Sequence, residues 1–74
     1  MQEQLNKDYN EIIRKRIKKF RNQKGYSQEF LAEKADTSRE HINKIENGKA
    51  TLGLNTFIRI AIALDVSLEE LAGM

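Results

Sequence analysis

Residues Ser27 to Lys49, SQEFLAEKADTSREHINKIENGK, hold two short helical patterns joined by three or four polar residues. A helix of about seven residues cannot hold itself together in water, because nucleation fixes several residues before hydrogen bonds compensate. These two elements therefore need a scaffold that holds them at a fixed mutual angle. A bihelical corner of this kind is one way to deliver a helix to the major groove of DNA.

The scaffold is small. A chain of 74 residues makes one domain and buries only about 60% of its unfolded surface. It has no cysteine, so disulfides and thiolate metal sites cannot supplement the core. Well-formed helices, self-association or both must supply the stability. No apolar run approaches the ~20 residues of a membrane span, and the N-terminus lacks a hydrophobic signal core. The expectation is a cytoplasmic protein.

Charge is segregated along the chain. Seven of the thirteen basic residues, Arg14, Lys15, Arg16, Lys18, Lys19, Arg21 and Lys24, fall between positions 14 and 24, where there is no acid. The remainder carries six basic and eleven acidic residues. Such a segment suits either attraction to a polyanion or a solvated helix face.

Periodicity and caps outline five helices. Residues 1–7 are polar and are expected to be a flexible lead into a domain over 8–74. The first helix runs from about Tyr9 to Gln23, with Asp8 and Glu11 as a capping box, apolar positions at Tyr9, Ile12, Ile13, Ile17 and Phe20, and Gly25 as the left-handed stop. The second runs from Gln28 to about Ala35 behind Ser27 as N-cap, with Tyr26 able to pack on Leu31. Leu31 and Ala35 face inward. Asp36 sits where the chain must turn, and Asp tolerates positive φ better than most residues, though less well than glycine. The third starts after Thr37 or Ser38 and ends near Asn47, closed by Gly48. Its clear apolar positions are Ile42 and Ile45, so most of its surface is left for recognition. The fourth covers Leu54 to Leu64. The fifth follows a Ser67/Glu70 capping box, with Leu68 and Leu71 inward and Gly73 at its end. This is an all-α orthogonal bundle.

Three strings, KGYSQEFLAEKA, IxKIENGK and LxTFIRIAIALDVS, stand in that order over about Phe20 to Ser67. Together the chain resembles the Cro/cI-type helix-turn-helix regulators, the XRE family. The resemblance implies a five-helix lambda-repressor-like fold and sequence-specific binding of double-stranded DNA, without chemistry. Two positions depart from the family pattern. Asp36-Thr37 replaces the usual glycine and β-branched apolar residue of the turn. Leu52 stands where proline is common, which is expected to loosen the loop before the fourth helix.

The resemblance also implies roles. Ser27 and Gln28, at the start of the second helix, would meet a DNA phosphate, where free N–H groups and the helix dipole favour an anion. Asn47, Gly48 and Lys49 would lie on another phosphate. Arg21 would meet Glu46, locking the first helix on the third while turning toward phosphate. Ser38, Arg39, Glu40, Asn43 and Lys44 would face base edges. Arg and Lys suit guanine, and Asn suits adenine. Glu40 suits either cytosine or a capping box with Thr37. The single histidine, His41, has no partner for a metal site.

In the fourth helix, Leu54, Phe57, Ile60, Ala61 and Leu64 form a core arc. Ile58 and Ile62 widen it to about 200°, more than one core needs. These two isoleucines mark either the seam of a homodimer or a surface covered by the fifth helix or the N-terminal residues. An enzyme is disfavoured: no catalytic constellation, glycine-rich phosphate loop, metal cluster or cofactor motif is present, and no small-molecule ligand is evident. The contrasting class is a protein-interaction module, such as an antitoxin or controller partner.

Overall fold

The computed structural model describes residues 7–74. The expected flexible segment 1–7 lies outside the described residues except for Lys7, which is exposed. Five helices follow, at Tyr9–Gln23 (α1), Gln28–Lys34 (α2), Arg39–Glu46 (α3), Leu54–Leu64 (α4) and Leu68–Ala72 (α5). No described residue lies in a strand.

Local chemistry explains the starts. Asp8, Ser27, Ser38 and Ser67 each sit in extended backbone and accept from the amide three residues on. Ser67 and Glu70 form the reciprocal capping box. At α1 the box is half made. Asp8 accepts from the Glu11 amide, but the Glu11 carboxylate pairs with Lys15 at 2.9 Å. Lys15 thereby holds the Glu11 carboxyl below its ordinary pKa.

All five helices end in one way. The residue after the last turn takes positive φ, and two amides bond back to carbonyls of that turn. Three of these left-handed positions are Gly25, Gly48 and Gly73, while Asp36 (φ 56°) and Asp65 (φ 57°) are not glycine. At the corner, Asp36 N–H donates to the Glu33 carbonyl and Thr37 N–H to the Ala32 carbonyl. The turn between α2 and α3 is thus a fixed cap.

The core is Ile17, Leu31, Ile42, Ile45, Ile60, Leu64 and Leu71, all fully buried, with small residues Ala32, Ala35, Ala61 and Ala63 between them. Each large side chain contributes about 1.5–3 kcal/mol by leaving water. Leu52 packs against this core, so the loop before α4 is tied down rather than loosened. Tyr26 also packs on the core, and its ring meets Phe30 edge-on at 4.7 Å.

Two inward assignments fail. Leu54 is 72% exposed and Leu68 43% exposed. Leu54 opens α4 and Leu68 opens α5, and among the described residues no element covers them.

Candidate nucleic-acid interface

α3 is anchored by Ile42 and Ile45, three residues apart and both buried. That spacing turns Arg39, Glu40, Asn43 and Lys44 to the opposite side. All four are exposed and line one shallow outward depression. Ser38, also exposed, caps the helix by accepting from the His41 amide at 3.1 Å. With Ser38 as the cap, Glu40 is not three residues beyond it. The capping-box role with Thr37 therefore falls away, and Glu40 is an acid in the first turn.

Behind this face lies a polar network. The Arg21 guanidinium donates to both Glu46 carboxylate oxygens, Nε to Oε2 at 2.7 Å and Nη2 to Oε1 at 3.0 Å. Its Nη1 donates to the Tyr26 carbonyl at 2.8 Å. Gln28 Nε2 donates to Glu46 Oε1 at 3.1 Å, and Asn43 Nδ2 donates to Gln28 Oε1 at 3.1 Å. Asn47 Nδ2 in turn donates to Asn43 Oδ1 at 3.2 Å. One chain of hydrogen bonds thus runs from inside α1, past the start of α2, onto the outer face of α3.

The expected Arg21–Glu46 pair is present, but Arg21 is only 9% exposed and Glu46 4%. The hydrogen bonds to Glu46 push the guanidinium pKa up, against a smaller opposing effect of burial. Arg21 is thus bonded to Glu46 and Tyr26 and braces α1 against α3 from behind the exposed face. A buried pair of this kind fixes geometry more than it adds stability.

Gln28 is half-buried and held at both ends of its amide. Only one Nε2 hydrogen is used in these bonds, which leaves the second for an anion. Asn43 likewise is bonded through both amide atoms while remaining exposed, so its orientation is preset. At the exit of α3, the amides of Asn47, Gly48 and Lys49 all donate to carbonyls of the last turn. These amides close the turn, and Asn47, Gly48 and Lys49 are all exposed there.

Arg14, one of the basic run of α1, also reaches α3. Its side chain crosses Gly48, and its Nη1 donates to the Glu46 carbonyl at 3.3 Å. The available signal was spacing: Arg14 precedes Arg21 by seven residues, two helical turns, and so shares its face.

On α4, Leu54, Ile58 and Ile62 recur every fourth residue and form one outward stripe. Ile62 is 74% exposed, so α5 does not cover it, and Ile58 is half-buried. No described helix is long and apolar enough to cross a membrane.

A short helix held outward across a capped turn by two buried isoleucines, with its open face charged and amide-rich, defines a DNA-binding helix-turn-helix protein. A helix-turn-helix family model matches residues 17–71, and the chain belongs to that family. It is 38% identical over 61 residues to the HTH-type transcriptional regulator SinR of Bacillus subtilis, covering 81% of this chain and 55% of that protein. The chain thus spans about half the length of that relative. It is 34% identical over 64 residues to the control protein C.SmaI of Serratia marcescens, covering 86% of this chain and 76% of that one. Among solved structures, the restriction-modification controller protein C.AhdI from Aeromonas hydrophila superposes with a TM-score of 0.80 at 31% identity, over 84% of this chain and 94% of that one. SinR in its complex with SinI gives a TM-score of 0.75 at 35% identity, over 80% of this chain and 58% of that chain.

Proposed function

We propose that the protein is a homodimeric repressor that binds a two-fold-symmetric operator, with α3 of each protomer in the major groove. The observation that carries this reading is the convergence of Arg39, Glu40, Asn43 and Lys44 on one exposed face of a helix whose opposite side is buried. Ser38, Arg39 and Lys44 approach base edges, Arg39 and Lys44 as guanine readers. Glu40 accepts from cytosine, and Asn43, already oriented by Gln28 and Asn47, reads adenine. Ser27, Gln28, Asn47 and Lys49 hold the phosphates on either side. These contacts give register and affinity, while α3 gives preference among sequences.

The α4 stripe supports the dimer. Leu54 and Ile62 are exposed apolar side chains on a helix that α3 does not need, and a second copy would cover them. A dimer would set two α3 helices about 34 Å apart, one turn of DNA. The same stripe supports a second reading, in which a different protein docks there, as SinI assembles with SinR.

Selection of bound duplexes from random DNA tests the proposal. Two half-sites of related sequence, one turn apart, are expected. Arg39→Ala and Lys44→Ala should each lose about 1–3 kcal/mol of discrimination at one position of the half-site. Binding should weaken steeply with salt. Equal affinity of both variants for selected and scrambled duplexes would defeat the reading, and a mass of one chain in solution would favour the second one.

A further inference from the structure

The last turn of α3 leaves one carbonyl for another helix to satisfy. A helix end presents four main-chain acceptors without partners inside the helix. At α3, the Asn43 carbonyl accepts from the Asn47 amide, Lys44 from Lys49, and Ile45 from Gly48. The fourth, on Glu46, accepts from Arg14 Nη1. α1 thus completes the cap of α3 from outside it, and brings a positive charge to the negative end of the helix dipole.

Arg14 passes close over Gly48 on its way to this carbonyl. A Cβ there would lie 3.0 Å from Arg14 Nε and 3.3 Å from its Cδ. The position also has φ +72°, which a side chain strains. Glycine at 48 thus suits the left-handed turn and leaves room for the arginine that crosses it. Glu46 is consequently gripped by α1 at two points, its carbonyl by Arg14 and its carboxylate by Arg21.

We propose that Arg14 is a positioning residue for DNA binding, which caps α3 from α1 and so holds Asn47, Gly48 and Lys49 in one exit conformation. The proposal rests on the reading that this exit meets the DNA backbone. An exit segment already ordered in the free protein does not have to be ordered on binding, and affinity rises accordingly.

The test compares wild type, Arg14→Ala and Arg14→Lys in two measurements. The first is affinity for a duplex recovered by the selection above, across a salt series. The second is amide hydrogen exchange at Gly48 and Lys49 without DNA. Arg14→Ala should bind about tenfold more weakly, with the salt slope unchanged and both amides exchanging faster. Arg14→Lys keeps the charge and should recover part of each loss. Binding within about twofold of wild type overturns the proposal. So does a salt slope reduced by about one with exchange unchanged, which would make Arg14 a phosphate ligand. If Arg14→Ala does not fold, Arg14→Gln, which keeps a polar stem without the charge or the reach, replaces it, and unchanged exchange in that variant overturns the cap. Loss of sequence preference in the wild type would instead sink the docking reading, and the exchange difference, measured without DNA, would still judge the cap.

Discussion

α3 and α4 are both short helices with one buried side, yet their outer sides differ in kind. The outer side of α3 carries Arg39, Glu40, Asn43 and Lys44, groups that water already satisfies. Exposing them costs nothing in the free protein, and a polyanion can replace the water with directed bonds. The outer side of α4 carries Leu54 and Ile62, whose exposure forfeits burial energy for as long as the molecule stays alone. A polar outward face can wait for a ligand, whereas an apolar one favours permanent company. The supports differ as well. α3 is fixed by buried isoleucines and a polar network reaching α1 and α2. α4 is fixed by core packing alone, through Ile60, Ala61, Ala63 and Leu64.

The most damaging way to break this contrast is to cut the network behind α3. Glu46→Ala leaves Arg21 buried without its carboxylate and frees Gln28. It should lower stability by about 3–5 kcal/mol, measured by urea unfolding. A loss under 1 kcal/mol would mean that α3 is held by apolar contacts just as α4 is.

A smaller effect on folding, but a large one on binding, is expected from Ile62→Glu. The side chain is exposed, so the fold should persist. The solution mass by light scattering should fall to that of one chain, and operator affinity should drop about 100-fold or more as the two half-sites uncouple. An unchanged mass would remove α4 from the assembly.

Asp36→Gly sharpens the comparison at the corner that aims α3. Glycine relieves the positive φ but adds freedom to the unfolded chain, so a gain of up to about 1 kcal/mol is expected in thermal unfolding. Asp36→Ala, which keeps the strain without the short polar side chain, should destabilise.

The smallest effect concerns α5, which packs beside α4. The Ser67 backbone and hydroxyl hydrogen bonds hold the Glu70 carboxyl below its ordinary value of 4.5. A depressed folded-state value means that the contribution is present above about pH 4.5 and is lost as pH falls through the folded value. Glu70→Gln keeps a capping-box geometry but cannot titrate. Its stability should therefore show a slightly flatter acid limb, while α3 is untouched.

Helix starts and stops were legible because their causes are local. Ser27, Ser38 and Ser67 accept from amides three residues away, and Asp36 bends the chain by its own φ. The helix limits at α1, α4 and the start of α2 agree with those expected, and the others differ by about one residue. The family was legible from three strings in order. Less legible were matters of what lies across a gap. Periodicity put Leu54 and Leu68 on an inward arc, but whether anything faces them depends on helices elsewhere in the chain. The family strings implied the inward Arg21–Glu46 pair, but the charge run of α1 gave no hint that Arg14 reaches over Gly48.

Sequence alone determined the element order, the caps, the composition of the α3 face and the match to a helix-turn-helix scaffold, since these follow from contacts within a turn or two of the chain. Tertiary structure added Arg14 to the Arg21–Glu46 lock that the family strings implied. Arg14 and Arg21 find Glu46 across 32 and 25 residues. Such contacts are made by the packing of whole helices, beyond the reach of interactions within a turn or two of the chain.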